Sequence, residues 1–198
     1  MQSATQISAS STIVICLILL LALFPNLFHL IWSAPLALIF GNYPSETDTF
    51  NSMTWTQKQF TLQPKSRGSY LITDQVVQAL PEIRNYKVGL LNLFIQHTSC
   101  ALSLNENFDS DVREDMSDAL DRIAPEEGPK GEALYRHDAE GLDDMPAHIK
   151  SALVGASVTI PIKDGKLATG TWQGIWYLEF RASKHSRRVM ATIQGEKS

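Results

Sequence analysis

The sequence predicts a domain that combines strands with a few helices, preceded by a hydrophobic leader. Residues 88–95 form an apolar run and residues 99–104 alternate, which is typical of buried strands. Residues 109–123 place apolar side chains at helical spacing. At 198 residues with 44% hydrophobic content, the chain is long enough for one domain with a core and one appendage.

The leader, residues 12–40, is almost wholly apolar and is followed by a polar linker. An uncharged segment of this length can span a bilayer, which takes roughly 20 apolar residues. Pro25 and Pro35 interrupt the segment, however, and no Lys or Arg precedes Lys58. The charges of a secretory signal, and those that orient a membrane helix, are therefore missing.

Two interpretations of residues 1–52 stay open. They are a leader, either a cleaved signal or a single-pass membrane anchor, or they result from a mis-assigned start, because Met53 opens a self-sufficient globular pattern. In both cases residues 53–198 form the domain. We expect that domain to be cytoplasmic and to meet a membrane only through the leader.

The elements of the domain follow from local signals. Asp109 is a plausible N-cap for the amphipathic helix, and acidic residues in its first turn complement the helix dipole. Pro146 suits the first turn of a second, short helix. The Asp164-Gly165 pair predicts the turn of a hairpin. The predicted order is strand 88–95, strand 99–104, helix 109–123, loop 125–132, helix 145–153, a hairpin formed by 157–162 and 167 onward, and strand 188–193.

Charge and cysteine content exclude some classes of protein. The formal net charge is −4, and no run of Lys and Arg is interleaved with aromatic residues, so the sequence lacks the basic surface of a nucleic-acid-binding protein. Cys16 and Cys100 have neither CxxC spacing nor the spacing of a disulfide framework, so they predict neither a zinc ribbon nor a disulfide scaffold.

Titratable side chains concentrate between His97 and His148. This interval holds three of the five histidines and fourteen of the twenty-one acidic residues. Imidazoles, carboxylates and neutral amides are the groups that bind metal ions and move protons. The sequence therefore places a functional site here, extended by the segment GTWQGIWYLEF at residues 170–180.

Five motifs, in this order, resemble the YjbQ-like family, whose members are also called secondary thiamine-phosphate synthase enzymes. The resemblance covers residues 53–198 and implies an α+β domain, with β-sheets packed against a few helices. It also implies a homotrimer with polar pockets near subunit boundaries, and a weak thiamine-phosphate synthase activity. The motifs are HTSCALSLNEN (97–107), DSDVREDM (109–116), HDAEGLDDMPAHIKSALVGASVTIPI (137–162), GTWQGIW (170–176) and SRRVMATIQGE (186–196).

The candidate site residues come from these motifs, and each also has a structural explanation as a core, turn or capping residue. Because an imidazole titrates near neutral pH, the histidines suit proton transfer or metal binding. A divalent ion, Mg²⁺ or Zn²⁺, is the expected cofactor, although no HxH or HExxH spacing supports zinc. The predicted catalytic residues are His97, Glu106, His148 and Gln173; the predicted substrate-binding residues are Asn105, Asp109, Asp143, Trp172 and Arg187; the predicted metal ligands are His97, His137 and His148.

Three functions fit these residues. In thiamine-phosphate synthesis, Arg187 would assist the departing pyrophosphate and Trp172 would contact the flat pyrimidine ring. The absence of a Gly-rich phosphate loop predicts that this activity is low. The alternatives are a metal-assisted hydrolase or lyase acting on a small phosphorylated or heterocyclic compound, and a non-catalytic trimer that binds a small molecule.

Overall fold

The computed structural model describes residues 53–198, together with Ile13, Ile18 and Leu19. The predicted leader and linker otherwise lie outside the described residues, so their boundary with the domain stays a prediction. In the described part of the chain, no helix has the length and apolar character needed to cross a membrane. The elements of residues 53–198 are β1 (Thr54–Lys65), β2 (Gly68–Leu71), α1 (Thr73–Ala79), a 3-10 helix (Pro81–Asn85), β3 (Tyr86–Ile95), β4 (Cys100–Glu106), α2 (Ser110–Ile123), α3 (Asp144–Val154), β5 (Ser157–Lys163), β6 (Lys166–Leu167), β7 (Gln173–Glu179) and β8 (His185–Lys197).

The strands form two antiparallel sheets. Sheet A has the order β1-β8-β3-β5-β6 and sheet B the order β2-β7-β4. Helices α2 and α3 contact strands of sheet B. This arrangement is the α+β architecture that the family resemblance implies.

Sheet B separates two apolar cores, because its strands alternate the faces on which their side chains lie. Ile175 and Tyr177 of β7 join a core with sheet A, α1 and the 3-10 helix. Trp176 and Leu178 join a second core with Leu120 of α2 and Ala147 of α3. Strand β7 is therefore covered on both faces, whereas residues 53–198 cover sheet A on one face.

The exposed face of sheet A carries apolar side chains. Val88, Leu90 and Phe94 of β3 are each about half exposed, while Leu91 and Leu93 between them are buried. The predicted apolar run thus forms a strand with one buried face in the single chain.

Most predicted elements are confirmed. Helix α2 begins one residue after Asp109, whose Oδ1 accepts a hydrogen bond from the Asp111 backbone N–H at 2.9 Å, as an N-cap does. Helix α3 includes Pro146 in its first turn. The turn at Asp164-Gly165 joins β5 to β6, but the final strand is longer than predicted.

Candidate metal centre

The first turn of α3 carries the two side chains on which the site is built. Asp144 and His148 lie four residues apart, so they share one face of the helix. His137, in the loop before α3, approaches the same carboxylate: its Nε2 lies 2.8 Å from Asp144 Oδ2. One donor atom from each of the three residues lies within 4.8 Å of the others. This group can hold a metal ion.

The carboxylate of Asp144 is only 2% exposed. Its Oδ1 accepts a hydrogen bond from Arg181 Nη1, but its Oδ2 is buried without a hydrogen-bond partner in the described part of the chain. His137 Nε2 thus lies close to Oδ2 without being aligned for a hydrogen bond. A buried carboxylate oxygen with no donor is costly in free energy. A cation placed between Oδ2 and the two imidazoles would remove that cost.

His148 is oriented by the main chain. Its Nδ1 lies 2.8 Å from the Thr98 carbonyl oxygen, which can only accept a hydrogen bond, so Nδ1 carries the proton. In the neutral ring the lone pair is then on Nε2, which lies 3.5 Å from Asp144 Oδ1. Fixing one ring nitrogen so that the other presents its lone pair is the usual arrangement of a metal-ligating histidine.

The guanidinium of Arg181 holds the loop between His137 and α3. Its Nε donates to Asp143 Oδ2 at 3.1 Å, its Nη1 to Asp144, and its Nη2 to the Glu140 carbonyl at 2.8 Å. Partial burial raises the pKa of Asp143, but the N–H of Ala182 and the charge of Arg181 outweigh it and hold this pKa below its ordinary value. Asp143 is thus a partner of Arg181, and its predicted role in substrate binding stays a prediction.

His97 is near this site but is not grouped with it. It precedes Thr98, yet its Nε2 accepts a hydrogen bond from the Arg188 backbone N–H at 2.9 Å. The structure thus brings two of the three predicted histidine ligands together, and Asp144 completes the group. Partial burial and the charges of Arg187 and Arg188 lower the pKa of His97.

Arg187 lies in a buried network on the inner face of sheet B. It donates two hydrogen bonds at 2.7 Å to the Glu179 carboxylate and one at 2.9 Å to Ser99 Oγ. Tyr177 donates to the same carboxylate. Burial alone would lower the pKa of Arg187. The hydrogen bonds and the charge of Glu179 outweigh this effect, so the pKa lies above its ordinary value. The guanidinium predicted to bind phosphate is engaged with protein groups.

The remaining predicted residues lie at the opposite end of sheet B. In the pairing of β4 with β7, Cys100 is opposite Glu179 and Glu106 is opposite Gln173. The six residue steps along β4 correspond to roughly 20 Å. Within one chain, the predicted site residues therefore fall into two separate groups. One lies around His148, and the second consists of Asn105, Glu106, Asp109, Trp172 and Gln173.

Side chains in this second group bind nearby main-chain groups. Asn105 accepts from the Glu106 N–H, and Glu106 accepts from the Asp109 N–H. Gln173 accepts from the Gly170 N–H, and Asp109 caps α2. These contacts are those of turn and capping residues, and the predicted catalytic and binding roles stay predictions.

Trp172 differs from its neighbours because its side chain is largely exposed and contacts another exposed ring. It is 61% exposed and meets the 76% exposed Phe108 edge to face, with ring centroids 5.5 Å apart. Gly174 allows the chain to pack here, since a Cβ at that position would lie 3.0 Å from the Cβ of Asn107. The two exposed rings form an apolar surface beside Glu106.

Fold and site together define an α+β protein with a histidine and carboxylate centre at the start of a helix. The sequence matches the "UPF0047 protein YjbQ-like" family over residues 58–196. This chain belongs to that family, and the resemblance seen in its motifs is confirmed.

Individual relatives agree with this assignment. The chain is 49% identical to the UPF0047 protein YjbQ of Escherichia coli O157:H7 over 142 residues, which are 72% of this chain and 99% of the relative. A crystal structure of a YjbQ/UPF0047 protein from Clostridium acetobutylicum is 35% identical, with a TM-score of 0.59, covering 69% of this chain and 98% of the other. A protein of unknown function from Sulfolobus solfataricus, 24% identical, shares the fold with a TM-score of 0.63, covering 73% of this chain and 99% of the other.

Two residues of the centre were not predicted from the sequence. Asp144 competes with Asp143 in the motif, and its spacing of four residues from His148 on a predicted helix is the signal that favours it. Arg181 lies two residues after β7, and no local pattern identifies its partners. The one available signal is its position after a mostly apolar segment, because a cation buried there requires acidic partners.

The Arg187 network predicts a structural effect. Replacing Arg187 with Ala leaves the buried carboxylate of Glu179 without its counter-ion, so we expect the free energy of unfolding to fall by about 3–5 kcal/mol. Arg188→Ala removes the same charge from an exposed neighbour and should change it by less than about 0.5 kcal/mol. Urea unfolding measures both. Equal stability of the two variants would show that Arg187 is not a structural residue.

His97 predicts a pH dependence. Its folded-state pKa lies below the unfolded value near 6.5, so it stabilises the fold fully above that pH and loses this contribution as pH falls toward the folded pKa. His97→Gln keeps a side chain that can accept the Arg188 hydrogen bond but does not titrate. We expect the loss of stability between pH 7.5 and 5.5 to be smaller in this variant, measured by urea unfolding. An unchanged loss would exclude His97 as its source.

The centre itself predicts metal binding. Elemental analysis of the protein, dialysed against equimolar divalent ions, should give one ion per chain, and Asp144→Asn or His148→Ala should lose it. Arg181→Gln should weaken binding about 10- to 100-fold, because it releases the ligand carboxylate. Asp138→Asn, an exposed change in the same loop, should leave binding intact. Equal metal content in Asp144→Asn and the unaltered chain would contradict the assignment.

Proposed function

We propose that this protein is an enzyme that uses a divalent metal ion, held by His137, Asp144 and His148, as a hydrolase or lyase on a small phosphorylated or heterocyclic metabolite. The observation that carries the proposal is the buried Asp144 Oδ2, which has no hydrogen-bond partner within residues 53–198 and belongs to a carboxylate that lies beside the imidazoles of His137 and His148. Ordinary structural aspartates are satisfied by donors, whereas a ligand carboxylate keeps one oxygen for the ion.

The ligand set favours Zn²⁺ or a similar first-row ion over Mg²⁺. Two imidazoles and one carboxylate match the ligands of catalytic zinc sites, which leave a position open, whereas Mg²⁺ prefers oxygen ligands and bound water. His137 is 53% exposed, so a small substrate can reach the centre from solvent. When bound, such an ion supplies a Lewis acid and lowers the pKa of coordinated water.

The residues of the chain orient and polarise the site. The Thr98 carbonyl fixes the His148 ring by accepting from Nδ1–H, which sets the direction of Nε2. Arg181 donates to Asp144 Oδ1, which would leave Oδ2 available as the ligand oxygen. These restraints preorganise the centre, so that little reorganisation is needed when substrate binds.

A weak thiamine-phosphate synthase activity is the second candidate. The family resemblance supports it, and the exposed Trp172 and Phe108 rings offer a surface for a flat pyrimidine. Arg187 is buried against Glu179, so pyrophosphate would have to be assisted by other cations. This arrangement favours a slow side activity.

Turnover tests the two candidates separately. The zinc-loaded protein is incubated with a panel of phosphorylated heterocycles and, separately, with aminopyrimidine diphosphate plus thiazole phosphate, and products are identified by mass spectrometry. The metal-enzyme proposal predicts turnover that falls at least 100-fold in Asp144→Asn and is unchanged in Asp138→Asn. The synthase candidate predicts slow thiamine phosphate formation that Trp172→Ala reduces and Trp172→Phe retains.

Negative outcomes are equally informative. Turnover that is the same in Asp144→Asn and the unaltered protein would remove the metal centre from the reaction. A metabolite retained by the purified protein without any conversion would favour the non-catalytic binding protein instead.

We also propose that the chain assembles as a homotrimer in the cytoplasm. The family resemblance supports assembly, and the exposed apolar side chains of Leu90 and Phe94 on sheet A offer a surface to bury. Light scattering should give three times the chain mass. Leu90→Asp together with Phe94→Asp should give a folded monomer, while Gln57→Asp on the same face serves as a control. A monomeric unaltered protein at micromolar concentration would refute the assembly.

A further inference from the structure

One cavity lies away from the metal centre. It has a volume of about 350 Å³ and opens between the end of β1, strand β2 and the side chain of Arg113 from α2. Its floor is made by the buried side chains of Leu62, Ile72 and Tyr177. Tyr177 lies on the inner face of sheet B, whereas α3, which carries Asp144 and His148, packs on the outer face.

Two cations border this cavity, and no acidic residue lines it. Lys65 Nζ lies 4.9 Å from the centroid of the Tyr70 ring. Arg113 donates from Nη1 to the Asp109 carbonyl at 3.2 Å, and within residues 53–198 no carboxylate forms an ion pair with either cation. Arg67, close by, is by contrast held by Asp118 and Asp121. The lining of this cavity therefore holds two cations and no acidic residue.

Two neighbouring cavities lack this property. The one on the other side of Arg113 is lined by Arg67, Glu114 and Asp118 as well. The one beside the 3-10 helix is lined by Arg84, Lys166 and Asp164. Among the three, the cavity above the Tyr177 ring is the one lined by cations and no acidic residue, which favours an anion.

Aromatic rings give the same cavity a preference for a flat ligand. The rings of Tyr70 and Tyr177 are 5.9 Å apart at centroid and inclined by 31°. Both are fixed at the hydroxyl end: Tyr70 donates to the Ser66 carbonyl at 2.8 Å, and Tyr177 donates to Glu179. Fixed rings contact a planar ligand without losing conformational freedom. The amides of Gln63 and Gln75, also in the lining, can donate to or accept from ring substituents.

We infer that this cavity binds a small planar ring that carries a phosphate or carboxylate group, with the ring against Tyr70 and the anion between Lys65 and Arg113. The guanidinium fork suits a phosphate or carboxylate in bidentate contact, and the ammonium adds a second charge. The volume is at the small end of ligand pockets, which limits the ligand to a single ring or a fused pair. The inference does not rest on the proposed metal-assisted function.

The binding of phenyl phosphate to the full chain tests the inference, with benzoate, inorganic phosphate and benzyl alcohol as comparison ligands. In amide NMR titrations, phenyl phosphate and benzoate should both shift signals from residues 62–72 and Arg113, and phenyl phosphate should bind at least 10-fold more tightly than inorganic phosphate or benzyl alcohol. If benzoate and phenyl phosphate both shift these signals, the site accepts a carboxylate or a phosphate. If phenyl phosphate alone shifts them, the site accepts a phosphate. Absence of localised shifts from both anionic ring compounds at millimolar concentration would overturn the inference.

Amino-acid substitutions test separately the contributions of the two cations and of the Tyr70 ring to binding. Lys65→Gln and Arg113→Gln should each weaken phenyl phosphate binding about 10-fold, while Arg122→Gln, an exposed change on the same helix outside the cavity, should have no effect. In Tyr70→Leu, the affinity for phenyl phosphate should fall to the affinity for inorganic phosphate. In Tyr70→Phe, phenyl phosphate should still bind more tightly than inorganic phosphate. If Lys65→Gln binds as well as the unaltered protein, or if Tyr70→Leu still prefers phenyl phosphate, the inference is wrong.

Discussion

The buried guanidinium of Arg181 is the interaction on which the candidate centre depends. A charge removed from water is tolerated only if acidic groups and carbonyls satisfy its donors. Here those partners come from the loop of residues 137–143 and from the first residue of α3. One side chain, two residues beyond β7, thus binds the start of α3 and occupies one oxygen of Asp144. Without this guanidinium, the two imidazoles of His137 and His148 would be the groups left beside the buried carboxylate of Asp144.

A second arginine has an equivalent position on the other face of sheet B. Arg187 meets Glu179 on the inner face, and Arg181 meets Asp143 and Asp144 on the outer face. Both ion pairs lie at the same end of β7. Because removing one partner of a buried pair is expensive, each pair restrains the segments that supply its members. This end of the sheet is therefore rigid, which suits a site that must hold ligand atoms in fixed positions.

Local signals predicted the elements well and the long-range contacts poorly. The N-cap at Asp109, the Pro146 helix start and the Asp164-Gly165 turn depend on neighbouring residues, and the structure confirms them. The contact of Arg181 with Asp144 joins residues 37 positions apart, and no local pattern encodes it. For the same reason His97, His137 and His148 seemed equivalent in the sequence, although a main-chain N–H binds His97 Nε2 and only the other two imidazoles meet Asp144.

The most direct test of this account is a crystal structure of the zinc-soaked protein with anomalous diffraction data. We expect one anomalous peak about 2.0–2.2 Å from His137 Nε2, Asp144 Oδ2 and His148 Nε2, with Arg181 still bound to Asp144 Oδ1. A well-ordered Asp144 with no peak beside it, or a peak only at other residues, would contradict the claim that Arg181 and Thr98 orient these side chains to hold a metal ion.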